Sequence, residues 1–92
     1  QNIYPESYTL HQNYPNPFNP VTKIKFDIAK NSNVKLIVYD ITGKEVLKIT
    51  DALMTAGSYS YQWNASSFAS GIYFYRLEAG EYSEVKKMIL LK

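Results

Sequence analysis

The sequence predicts an all-β protein: an immunoglobulin-like antiparallel β-sandwich of about seven strands in two sheets. Three observations carry this. Polar and apolar residues alternate with a period of two along most of the 92 residues. Turn-forming residues recur roughly every ten positions. Aromatic residues, which suit pleated half-buried surfaces, make up 15% of the chain, with nine tyrosines among them. No segment carries a helical period. A small barrel is the alternative that the same pattern leaves open.

In chain order, "SYTL" (residues 7–10) reads as a short first strand. "HQNYPNPFNP" (residues 11–20) holds three of the four prolines. Pro15, Pro17 and Pro20 hold φ near about −65° and extend the residues before them. Asn16 and Asn19 can bond nearby backbone in Asx-type turns, so a rigid polyproline-like corner is expected. In "TKIKFDI", Thr22, Ile24, Phe26 and Ile28 share one face, opposite Lys23, Lys25 and Asp27.

"AKNSN" supplies turn residues. "VKLIVYDI" follows, apolar on both faces (Val34, Leu36 and Val38 against Ile37 and Tyr39), as a central strand would be. Thr42 and Gly43 close a tight turn, with Gly43 suited to a positive φ. "KEVLKIT" returns, and "DALMTAG" is read as a connection. In "SYSYQWN", Tyr59, Tyr61 and Trp63 alternate with Ser58, Ser60 and Gln62. "ASSFAS" loops to Gly71, which opens "IYFYRLE", and a turn at Gly80 leads to "YSEVKKMILLK". The apolar run Met88, Ile89, Leu90 and Leu91 reads either as a strand buried on both faces or paired inside the sheet. It also reads as a strand engaged by a partner through strand addition, and the two are compatible.

Composition narrows the function. A chain this short forms one domain with one core and has little room for a deep cleft. Ten Lys/Arg stand against eight Asp/Glu, scattered rather than striped, so the footprint of a nucleic-acid binder is missing. Without cysteine there is no disulfide frame and no thiolate-ligated metal. No apolar run approaches the ~18 residues of a membrane helix. "QNIYPESYTL" has neither signal-peptide regions nor an initiator Met, which suggests a piece of a longer precursor.

Chemistry is sparse. The single histidine, His11, has no clustered ligand partners, and "YDITGKE" offers only Asp40 and Glu45, which fits a hairpin turn better than a calcium loop. No serine sits in a nucleophile elbow, so no enzyme and no cofactor are expected. Tyr59, Tyr61 and Trp63 could form a platform for sugar rings, but their wet opposite face favours a place in the core. "NAS" at 64–66 matches a glycosylation acceptor and marks an exposed loop.

The order of motifs carries a resemblance. "NYPNPFNPVTKIKF" precedes "VKLIVYDITGKEV", then come a glycine and "YQWN", then "SGIYFYRL", then "KKMILLK". Together they resemble the C-terminal sorting domain of the type IX secretion system, in its type A form, from about Leu10 to Lys92. The resemblance implies that residues 10–92 form an Ig-like sorting domain and residues 1–9 end the region before it. It also implies a precursor taken to the periplasm, then across the outer membrane, and so a secreted or cell-surface destination. The implied partners are the translocon, shuttle and sortase components of that system. The sortase would cut before or within residues 1–9.

By motif, Pro15, Asn16 and Pro17 match the Pro-Asn-Pro element, and Gly71 and Tyr73 the Gly-x-Tyr element. Lys87 with Met88, Ile89, Leu90 and Leu91 matches the closing Lys-plus-apolar element. The competing function is a non-catalytic Ig-like binding module or spacer with Tyr61 and Trp63 exposed. Long β-edges invite pairing, so a dimer is among the states expected of the isolated domain.

Overall fold

The structure, a computed structural model, describes residues 5–92. Its seven strands are β1 (Thr9–Leu10), β2 (Val21–Ile28), β3 (Ser32–Asp40), β4 (Glu45–Met54), β5 (Gly57–Asn64), β6 (Gly71–Ala79) and β7 (Tyr82–Leu90). They form a three-stranded sheet in the order β1-β2-β5 and a four-stranded sheet in the order β4-β3-β6-β7. Every strand pairing is antiparallel. The segment read as preceding the domain falls partly on residues 1–4, outside the described residues. Of the rest, Thr9 pairs with Asp27, and the Tyr8 ring stacks on Tyr82 with centroids 5.5 Å apart.

The inward positions are those the alternation assigns. Ile24, Phe26 and Ile28 from β2 meet Val34, Leu36 and Val38 from β3 and Tyr73, Tyr75 and Leu77 from β6, all buried. Trp63 is only 3% exposed and belongs to this core, while Tyr59 and Tyr61 pack against it. The sugar-platform arrangement is therefore absent: the ring that would anchor it faces inward.

Two details differ from the sequence reading. "DALM" is strand rather than connection, because β4 stays paired with β3 as far as Ser32–Met54 by taking up two register shifts, opposite Leu36/Ile37 and Val38/Tyr39. Such bulges let an edge strand follow a twisted neighbour. Consecutive strands pair as hairpins at β3–β4 and β6–β7, whereas β2–β3, β4–β5 and β5–β6 pass between the sheets. The Met88–Leu91 run is paired inside the sheet as far as Leu90, as one reading had it, but is not buried on both faces. Met88 and Leu90 are fully buried, Ile89 is partly covered on the other face, and Leu91 is 52% exposed.

The hairpin turn at Asp40–Lys44 is held as the sequence suggested. Asp40 Oδ1 accepts from the Thr42 hydroxyl at 2.6 Å, from Thr42 N at 2.9 Å and from Lys44 N at 3.1 Å. Those donors, led by the Thr42 hydroxyl, hold the Asp40 carboxyl below its ordinary value. Gly43 takes φ +88°, a left-handed geometry that side chains other than glycine's rarely adopt.

Two tyrosines predict how the fold responds to alkali. Burial pushes Tyr75 up to about 12, and burial aided by its bond to Glu84 does the same for Tyr82. The unfolded chain loses these protons near pH 10 and the folded chain near pH 12. Their stabilising contribution is thus complete below pH 10 and is lost as pH rises from about 10 to 12. The chemical-denaturation midpoint is expected to be flat from pH 7 to 9.5 and to fall steeply above pH 10. A midpoint unchanged at pH 11.5 would contradict the burial of these phenols.

Candidate functional site

The segment 11–20 leaves β1 in one sheet, crosses to the edge of β7 in the other, and returns to β2. Its near end is pinned by a buried polar network. Asn13, 2% exposed, donates its backbone N–H to the Tyr75 hydroxyl at 2.7 Å, and that hydroxyl donates to His11 O at 2.7 Å. Asn13 Nδ2 donates to Thr22 Oγ1 at 2.9 Å and to Pro15 O at 3.1 Å, and the Thr22 hydroxyl itself donates to Pro15 O at 2.9 Å. Every one of these buried groups is thereby partnered, as buried polar groups must be if they are not to cost stability. Sequence reasoning missed Asn13 and Tyr75. The available signal was Thr22, a hydroxyl in an otherwise apolar inward row.

The segment also forms a strap along β7, from Gln12 to Phe18. Gln12 Nε2 donates to Lys87 O at 2.8 Å, and Asn16 Oδ1 accepts from Ile89 N at 3.0 Å. Phe18 N donates to Ile89 O and Leu91 N donates to Phe18 O, both at 2.9 Å, forming a parallel bridge between Phe18 and Leu90. The Tyr14–Pro15, Asn16–Pro17 and Asn19–Pro20 bonds are cis, and the segment runs as a strap in place of the polyproline-like corner expected. Proline suits such a strap because it does not offer an N–H that would need a partner.

Below the strap lies an aromatic cluster. Phe18, 2% exposed, meets Trp63 at 5.8 Å between centroids. Trp63 makes edge-on contacts with Phe68 at 5.2 Å and Tyr73 at 5.7 Å. Edge-to-face geometry of this kind adds about 0.5–1.5 kcal/mol per pair beyond burial. The Tyr73 hydroxyl donates to Ala69 O at 2.5 Å, tying the start of β6 to the loop before it, as in the tyrosine corner of Ig-type sandwiches. Partial burial pushes the Tyr73 phenol up. Gly71 opens β6 at φ +145°, where an added Cβ would meet nothing within 4 Å, so its requirement is conformational and not steric.

The three motif groups therefore meet at one end of the sandwich. Gly71 pairs with Leu90 and Tyr73 with Met88, while Asn16 and Phe18 hold Ile89 and Leu91 from the other side. The side chains divide by role. Tyr73, Met88 and Leu90 face the core. Pro15, Asn16, Pro17, Lys87 and Leu91 face solvent, beside Tyr14, which is 80% exposed. Among the described residues no three His, Cys, Asp or Glu side chains lie where they could hold one metal ion. His11 makes an exposed contact with Asp27 at 3.1 Å.

The cluster makes a spectroscopic prediction. With the lone tryptophan enclosed by Phe18, Phe68 and Tyr73, emission is expected well to the blue of exposed indole and indifferent to added polysaccharide. Red emission that shifts with polysaccharide would restore the sugar-binding alternative.

Comparison with known proteins places the architecture. Residues 12–91 match the family model described as the secretion system C-terminal sorting domain. No curated protein matches the chain. Among solved structures, the chain is similar to PorZ of Porphyromonas gingivalis, described as an essential bacterial surface component of the type-IX secretion system. That likeness has a TM-score of 0.64 at 20% identity, covering 90% of this chain but 11% of PorZ, and it speaks to the fold alone. No helix among the described residues is long and apolar enough to cross a membrane.

Proposed function

Since the chain belongs to the secretion-system C-terminal sorting domains, which lead from the periplasm to the cell surface or beyond, we propose that residues 10–92 are the export address of an attached passenger. The domain itself is non-catalytic. The outer-membrane translocon and shuttle components of the type IX system read it, and a surface sortase cuts it away within or before residues 1–9.

The observation that carries this reading is the meeting of all three motif groups on one exposed end. Motif residues needed only for folding would lie wherever the core required them. Here Pro15, Asn16, Pro17, Lys87 and Leu91 form the surface that is read, while Gly71, Tyr73, Met88, Ile89 and Leu90 hold it in shape.

The test is transplantation. Residues 1–92 appended to a neutral periplasmic passenger, in a host with the type IX system, are expected to send that passenger to the surface or medium. Retention in the periplasm, with the domain folded, would overturn the proposal.

A further inference from the structure

We propose that the outer face of the β4-β3-β6-β7 sheet is a self-association surface, on which a second copy of this chain packs face to face about a two-fold axis. The axis runs along the strands between β3 and β6. The proposal does not rest on the export reading and needs no secretion component, although Lys87 belongs to both surfaces.

The face is mixed: Ile37, Tyr39, Phe74 and Val85 form an apolar cluster among charged positions, with Ile72 and Ile89 at the end next to the strap; Val85 is 49% exposed, and Ile37 is nearly covered. Arg76 lies over the Tyr39 ring at 5.7 Å from its centroid. Tyr39, Phe74, Arg76 and Val85, with Gly43, line an open depression of about 210 Å³.

The occupant follows from the charge pattern. Register aligns three rows across the sheet: Glu45–Tyr39–Phe74–Lys87, then Lys48–Ile37–Arg76–Val85, then Asp51–Lys35–Glu78–Ser83. The proposed axis maps each row onto itself reversed. Glu45 then faces the Lys87 of the second copy, Tyr39 faces Phe74, and Lys35 faces Glu78. Lys48 faces Val85, Ile37 faces Arg76, and Asp51 faces Ser83. No row sets like charges opposite one another. Glu45 and Lys87 make no ion pair with the described residues of their own chain. Sheets packed face to face align within about 30°, which leaves these pairs in reach.

The size is adequate. Four strands at about 4.8 Å spacing and nine residues at about 3.3 Å rise give a face of roughly 19 by 30 Å. With side-chain relief this approaches the ~800 Å² that each partner brings to a standard interface. The alternative of edge pairing is blocked on this sheet. The strap covers the end of β7, and two bulges break the regularity of β4.

Charge reversal tests the proposal, read by sedimentation equilibrium of the 92-residue chain from micromolar to millimolar concentration. The unmodified chain is expected to dimerise, and Lys87→Glu or Glu45→Lys alone to weaken the dimer about tenfold or more, by placing like charges opposite. The double variant should restore it. A zero-length carbodiimide cross-link between Glu45 and Lys87 is expected only between chains, because within one chain they are three strand spacings apart, about 14 Å. A chain monomeric throughout, or a dimer indifferent to all three variants, would overturn the proposal; the second result would mean edge pairing.

Discussion

Phe18→Ala is expected to destabilise the domain by about 3–5 kcal/mol, the cost of emptying a well-packed aromatic site. For a chain of this size that is a large part of a total of roughly 5–14 kcal/mol, and lowers Tm by on the order of 15–30 °C. Phe18 has an unusual position for so large an effect. It sits in the proline-rich segment, yet its ring is 2% exposed against Trp63 and its backbone makes both hydrogen bonds of the bridge to β7. Losing the ring removes what holds the strap down, so the edge of β7 opens as well. Phe18→Leu, which keeps much of the volume, is expected to cost under half as much. Thermal unfolding followed by circular dichroism measures both. If the alanine variant melts within 3 °C of the parent, the strap is not anchored by this side chain.

Much of this arrangement was legible in the sequence, and the illegible parts have physical causes. The period of two in β2 located its inward row, because a half-buried strand writes its burial into alternation. The immunoglobulin-like sandwich was legible for the same reason, with turn residues spacing the strands. The end of β4 was not. Asp51, Ala52 and Leu53 do not alternate clearly, and the bulges that keep them paired with β3 are set by the neighbouring strand. Composition read residues 11–20 as a polyproline-like corner, whereas in the structure they are a strap running from one sheet to the edge of the other. That they also complete the sheet edge depends on contacts between residues more than 70 positions apart, such as Asn16 with Ile89. Local pattern does not carry such contacts. Tyr75 was missed for a related reason: its place among inward apolar residues was readable, but the partners of its hydroxyl, His11 and Asn13, were not.

The last strand offers the sharpest separation of folding from recognition. Deleting residues 87–92 would abolish export whichever role the strand plays, because Met88 and Leu90 are fully buried and their loss removes part of the core. The alternation of the run allows a cleaner cut. Met88→Ala is expected to cost about 2–5 kcal/mol, and export should fall in proportion to the unfolded fraction. Lys87→Ala with Leu91→Ser changes only outward side chains and leaves the backbone bonds to Phe18 and Gln12 in place. Stability should then move by no more than about 0.5 kcal/mol for each change. If the exposed half of the strand is what the secretion machinery reads, this folded double variant is expected to lose export at least tenfold, equivalent to about 1.4 kcal/mol of recognition. Surface yield of a fused passenger, measured beside the Tm of the same protein, decides the matter. Undiminished export from a folded Lys87→Ala, Leu91→Ser variant would confine the closing motif to the core and leave the strap, with Tyr14 and the prolines, as the surface that is read.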